Sequence, residues 1–236
     1  MRTNATLAPS GTVGLQLLKG GSFTKTPAKE LSFFEIVRYG LPWFGNSAHV
    51  NLWRARNFPN LLRGLWRVMI ARALKLPHFY GALSLVKVSA NGERVDYGLA
   101  SLRVVTTAGV NYLVDGLQSS GTDVSLFKFH GFGTGNTAEN AADTDIETEF
   151  TTQYATDNVR PTGTQTEGAS ANIYRSVATF SPDTGGTLAV VEHGILSDAD
   201  VGQGTLFDRS VFSAVNTVAG SDSIQATYDL TLAAGS

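Results

Sequence analysis

Three sets of residues in this 236-residue chain have types and spacings that could do chemistry. Gly131-Phe132-Gly133-Thr134-Gly135-Asn136-Thr137 has the glycine density of a phosphate cradle. A phosphate site needs a helix opening on the loop, or a Lys before Ser or Thr for a P-loop. Here Thr137-Ala138-Glu139-Asn140 follows and leads into acidic residues, so the run reads as a tight loop between strands. The second set, Asp143, Asp145, Glu147 and Glu149, puts carboxylates at alternate positions, which share one face if the segment is a strand. Calcium takes 6–8 oxygens, and Asp143 and Asp145 are the best metal candidates. The EF-hand spacing is missing, so a solvated strand edge is the favoured role and no metal site is assigned. The third set is His49, His78, His130 and His193, which form no H-x-x-x-H or H-E-x-x-H pair. Glu192 and His193 are adjacent and face opposite sides of a strand. With no G-x-S-x-G elbow and no convergent groups, the chain reads as a non-enzyme with no catalytic residue and no cofactor.

A fourth pattern concerns binding. The net charge of −2 divides at Arg103: residues 1–103 carry 14 of the 18 Lys and Arg and 4 of the 20 Asp and Glu, for +10, and the remainder carries −12. No acidic residue lies between Glu35 and Glu93, and that window holds all three tryptophans. Trp and Arg carry most interface hot spots, which makes Trp43, Trp53, Arg54, Arg56, Arg63, Trp66 and Arg67 the candidate partner-binding residues. Nucleic acid is an unlikely partner, because a few aligned arginines leave a weak footprint that the acidic half opposes. The oily stretch Leu61–Leu76 is broken by Arg63, Arg67, Arg72 and Lys75, against the roughly 20 apolar residues a spanning helix needs. No membrane role follows, and the N-terminus lacks the apolar core of a secretory signal. The absence of cysteine excludes disulfides, thiolate zinc sites and a cysteine nucleophile.

The elements that position these residues divide the chain into four. Residues 1–25 read as an extended arm. Residues 26–78 form a basic, Trp- and Arg-rich helical docking segment. One helix lies over 27–39, capped by Thr26 with Pro27 at its first turn, and a second runs from about Asn57 to Leu76 before Pro77. Most of that second helix is expected to be buried, with a narrow edge of Arg56, Asn60, Arg63 and Arg67 left outside. Residues 79–120 form a connecting region: a hairpin on Asn91-Gly92 with a type I′ turn, then a short helix over about 108–118 capped by Thr107. In residues 121–236 short β-rich runs at Val124–His130, Glu147–Tyr154, Ala171–Phe180, Thr187–His193, Thr205–Val215 and Ser223–Leu232 alternate with turn residues. The fold class expected is mainly β: an antiparallel β-sandwich or jelly-roll-like C-terminal module with an N-terminal arm and short α-helices. Deletion of residues 1–78 is expected to leave the sandwich folded.

Lined up, the segments Phe129–Glu139, Asp145–Glu149, Arg160–Gln165, Val191–Ser197 (Val-Glu-His-Gly-Ile-Leu-Ser), Gly204–Phe212 (Gly-Thr-Leu-Phe-Asp-Arg-Ser-Val-Phe) and Asp222–Tyr228 resemble a family of tailed-bacteriophage virion structural proteins. Arg103–Val110 also fits. The departures are Leu196 in place of Phe, Phe207 in place of Leu and Ser221 in place of Gly. The likeness covers about residues 80–236, and nothing comparable is seen in 1–78. The resemblance implies a non-enzymatic β-sandwich module, often a homotrimer, mounted on a capsid or on tail structures. Joined to the charge division, it implies a capsid decoration or cement protein on the outer capsid surface, docked on the major capsid protein through its basic half. The alternative is a tail- or fibre-associated receptor-binding protein that recognises its target with loops 131–145 and 155–170. An enzyme acting on polysaccharide would need paired carboxylates about 5–10 Å apart in a cleft.

Overall fold

The computed structural model describes residue 41 and residues 45–103, 105–118 and 122–234. The arm over 1–25, the helix expected over 27–39 and Trp43 lie outside the described residues.

In chain order the elements are α1 (Ala48–Ala73), β1 (His78–Val88), β2 (Arg94–Arg103), α2 (Thr107–Leu117), a 3-10 turn at Val124–Leu126, β3 (Phe129–Gly133), β4 (Thr164–Glu167), β5 (Ile173–Phe180), β6 (Thr187–Leu196), β7 (Leu206–Val218) and β8 (Ser223–Ala233). The strands form two antiparallel sheets, β2-β1-β8-β5-β4 and β3-β6-β7. This is the mainly-β architecture that the alternating runs predict. Leu83, Leu85, Phe132, Phe180, Phe212, Val215 and Ile224 fill the core.

Several local expectations change. The hairpin strands are not a connecting region: β1 pairs with β8 along its whole length, from His78 opposite Ala233 to Val88 opposite Ser223. Its turn is not type I′, which requires positive φ at both central residues. Gly92 has φ +80° while Asn91 does not enter the left-handed region. Instead Gly92 N–H donates to Ser89 O, and Asn91 Oδ1 accepts from Glu93 N–H, as in a three-residue loop closed by a left-handed glycine. The run Glu147–Tyr154 is not a strand, and β4 went unpredicted because Thr-Gln-Thr-Glu has no apolar alternation.

α1 begins about ten residues before the expected start. The Ser47 side chain accepts from Val50 N–H and caps it. Pro59 lies inside the helix on its exposed side. At the other end Lys75 takes φ 55°, and Lys75 N–H and Leu76 N–H donate to Arg72 O and Ala71 O, the paired bonds of a Schellman cap. The inner face of α1 lays Leu61, Leu65 and Val68 on Tyr80, Ala82, Leu99 and Leu102. Gly64 lets the helix backbone rest directly on β2, because a Cβ there would overlap the Leu102 carbonyl. Gly64→Ala is therefore expected to lift α1 off the sheet and cost about 3 kcal/mol, read as a lower midpoint in urea unfolding.

The N-terminal half of α1 closes the side of the sandwich where β2 and β7 are edge strands. Trp53 Nε1 donates to Ser213 O at 2.8 Å and to Ala214 O at 3.1 Å, both on β7. Arg54 Nε donates to Tyr97 O of β2 at 3.0 Å. Asn57 joins the two edges: its Nδ2 donates to Ala100 O at 2.7 Å and its Oδ1 accepts from Ser213 N–H at 2.8 Å. Side chains thus occupy edge groups that would otherwise template another strand.

Candidate functional site

The glycine run and the alternating carboxylates, read separately in the sequence, meet as one assembly. β3 alternates His130 and Phe132 toward the core with Gly131 and Gly133 on the outer face. The segment Asp145–Glu149 lies flat on that face: a Cβ on Gly131 would collide with Ile146, and one on Gly133 with the Thr148 carbonyl. The glycines are there for close approach of another backbone, not of phosphate.

The carboxylates do not form a solvated edge, because two arginines collect them. Arg160 is buried and grips Glu149 through two bonds, 2.6 Å from Nε and 2.8 Å from Nη2. Its Nη1 donates to the carbonyls of Asp198, Asp200 and Gln203 and so also holds the loop after β6. Arg209 of β7 reaches Asp143 at 3.1 Å and Glu147 and Glu192 at 2.9 Å each. Glu192 of β6, fully buried, also accepts from the backbone N–H of Gly135, Thr148 and Glu147 at 2.7, 2.8 and 3.1 Å. Burial by itself would weaken the hold of both guanidinium groups on their protons, and the carboxylates about them reverse that. Glu147, which accepts from Thr137 N–H and Oγ, titrates below the usual carboxylate range. Glu139 completes the set by pairing with Arg103 and accepting from Val211 N–H.

This overturns the strand-edge reading of the acidic run, and it shows why Asp143 and Asp145 make poor metal ligands. Asp143 already neutralises Arg209, and Asp145 Oδ1 accepts from Ile146 N–H with Arg160 4.0 Å away. Among the described residues, three or more His, Asp or Glu side chains nowhere converge as a metal would require. Glu192, Arg209 and Arg160 were missed as a group. The available signal was their isolation: Arg160 and Arg209 are two of only four cations after Arg103, in a segment rich in acid.

The histidines also differ from expectation. His130 and His193, 63 residues apart, are in hydrogen-bond contact, and His130 meets Ser176. The order Ser-His-His resembles a nucleophile and its base, but all three side chains are buried, so no substrate reaches the hydroxyl. The shallow depression beside β4 and β5, lined by Gln165, Glu167, Asn172, Tyr174 and Leu232, contains none of these groups.

The predicted partner-binding residues divide. Trp53 and Arg54 are buried in the seam between β2 and β7 and are spent inside the chain, which removes them from any docking face. Arg56, Arg63, Trp66 and Arg67 are exposed on the outer face of α1. That face is wider and oilier than the narrow basic edge expected. Leu62, Met69 and Ile70 are exposed beside Trp66, which is 65% exposed. At 100° per residue these four fall within an arc about 60° either side of Trp66, and the three arginines take the adjoining arc on one flank. The result is a contiguous apolar stripe with a cationic border on a helix anchored from behind by Gly64, Leu61 and Leu65. Compared with family models, curated proteins and solved structures, the chain matches none of them.

Proposed function

We propose that this chain is a non-enzymatic structural protein of a tailed-bacteriophage virion. In this reading it is a capsid decoration or cement protein that binds the major capsid protein on the outer surface of the head, as a homotrimer. The observation that carries the docking mode is the outer face of α1, where Leu62, Trp66, Met69 and Ile70 stand exposed beside Arg56, Arg63 and Arg67. Large apolar side chains in a contiguous stripe mark interaction surfaces, and Trp with Arg supplies anchors. The cationic flank suits an acidic partner, adding attraction that salt weakens. The resemblance of residues 80–236 supplies the setting, and the inward use of Glu192, Arg160 and Arg209 favours a scaffold over a catalyst.

The test is binding of the purified chain to capsids that lack it. The double variant Trp66→Ala/Arg67→Glu is expected to bind at least about tenfold more weakly, with an unchanged melting temperature because both side chains are exposed. Undiminished binding by this variant would remove α1 as the dock. Density confined to the tail tip in a virion reconstruction would replace the cement reading with the tail-associated one.

A further inference from the structure

The space between the two sheets holds a chain of polar side chains. His130 of β3 and His193 of β6 place Nδ1 and Nε2 at 2.9 Å, and His130 Nε2 lies 2.8 Å from Ser176 Oγ of β5. β3 and β6 are neighbours in the three-stranded sheet and β5 belongs to the five-stranded one, so the His130–Ser176 bond ties one sheet to the other while the His130–His193 bond holds the imidazole that makes it. A second tie runs beside the first: Tyr228 Oη of β8 donates to Asp208 Oδ2 of β7 at 3.2 Å, with Ser210 Oγ 3.4 Å from Asp208 Oδ1. All six side chains are buried.

We propose that this interior is an acid-sensitive closure: the two sheets stay packed only while the His130–His193 pair is neutral, so the fold is held at neutral pH and loses stability as the solution becomes mildly acidic.

Proton counting supports it. Each neutral imidazole has one N–H and one acceptor nitrogen, so the chain from Ser176 through His130 to His193 closes in either direction. One added proton on His193 Nδ1 keeps both bonds but places a cation in the core. A second turns two N–H groups toward each other across 2.9 Å. Among the described residues, the neighbours of the two rings are apolar or neutral. Phe132 meets His193 edge-on, Ser210 stands opposite it in register, and Gly163 backs His130. Of the charged groups on the elements packed here, Asp208 meets Ser210 and feels the charge of Arg103, Glu192 and Arg209 bind each other, and Arg175 of β5 binds Asp229 of β8. Among the described residues, neither ring hydrogen-bonds a carboxylate.

The sign follows from linkage. Burial draws His130 down to about 3, and burial with the charge of His130 draws His193 well below its ordinary value. Unfolded rings titrate near ~6.5, so unfolding takes up two protons below that pH. Asp208 opposes this. Burial, only partly countered by Arg103, pushes it up to about 7, so the folded state keeps a proton that the unfolded chain releases. For these three groups the net uptake is one proton, which makes their contribution to the unfolding constant rise about tenfold per pH unit between roughly pH 6 and 5.

Urea unfolding of the full chain from pH 7.5 to 5 reads this directly, together with the ring resonances of His130 and His193 in the folded protein. Neutral rings at pH 5 and the tenfold slope are expected. Asp208→Asn cannot ionise and should steepen the slope to about a hundredfold per unit. A stability that does not change between pH 7 and 5, or rings that titrate near their ordinary value while the protein stays folded, would overturn the proposal. Both readouts use the unaltered chain, so they decide even if the variant does not fold, and neither depends on what the protein docks to.

Discussion

Glu192→Ala is expected to lose about 3–5 kcal/mol of folding stability, a fall in melting temperature on the order of 10 °C for a chain of this size. The carboxylate is fully buried, and five donors converge on it: two nitrogens of Arg209 and the backbone N–H groups of Gly135, Glu147 and Thr148. Truncation leaves Arg209 buried with the Thr137 carbonyl and its more exposed carboxylate partners, Asp143 and Glu147, and leaves three amides without their acceptor. A buried charge stripped of its counterion costs more than the intact pair contributes, because desolvation persists after the attraction is gone. The control is Asp145→Ala. Its carboxylate is half exposed and 4.0 Å from Arg160, so a change within about 0.5 kcal/mol is expected. Equal effects of the two substitutions in thermal unfolding would show that Glu192 is not the centre of the assembly.

Removing residues 1–77 is expected to abolish cooperative folding altogether. This reverses the expectation drawn from sequence, in which the basic segment was a dock separable from the sandwich. α1 supplies Leu61, Leu65 and Val68 to a hydrophobic cluster with β1 and β2, and Trp53 to the principal core. Without it Tyr80, Ala82, Leu99 and Leu102 face water, and the groups on β2 and β7 that Trp53, Arg54 and Asn57 engage are open to other chains. Near-ultraviolet circular dichroism and a urea titration of the truncated chain test this, and a sharp native-like transition would refute it. Asn57→Leu isolates the seam with α1 still present. It leaves Ala100 O and Ser213 N–H unpaired at about 1–3 kcal/mol each, so a loss of a few kcal/mol is expected in the same titration.

Strand existence was legible wherever apolar and polar residues alternate. Val211 to Val215 and Ile224 to Leu230 became β7 and β8, with Phe212, Val215, Ile224 and Tyr228 inside. Alternation misled at Asp143–Glu149, since period two in charge does not specify a strand when two arginines, Arg160 and Arg209, collect the carboxylates. Helix ends were less legible. The helix was expected to start near Asn57, yet Ser47 caps it, and the packing of Trp53 and Arg54 outweighs the bond that Pro59, inside the helix, cannot donate.

The candidate surface was half legible for a related reason. Trp and Arg in one acid-free window mark contact, but not with what. Trp53 and Trp66 are 13 residues apart on the same helix, and only the position of β2 and β7 puts one in the core and the other 65% in solvent. The segments that carry the likeness to phage structural proteins divide in the same sense. Gly131, Gly133, Gly135, Thr137, Glu139, Glu192, Asp208 and Arg209 all act in holding the outer loop or the interior together. They speak first for architecture, while the proposed docking rests on α1, outside the resemblance.

Composition and period by themselves determined a mainly-β chain with opposed charge halves, an apolar helix bordered by arginine and no cysteine chemistry. These are properties of residue type and near-neighbour spacing, which the chain carries whatever its partners. Only the tertiary structure decided that the glycine run and the carboxylate run are one assembly. Tertiary packing likewise brought His130 and His193 into contact across 63 residues and made α1 a wall of the sandwich as well as its exposed face. Each of these depends on which side chains distant strands bring within about 3 Å of each other in a dry interior, where an unpaired charge is costly and a paired one can be kept.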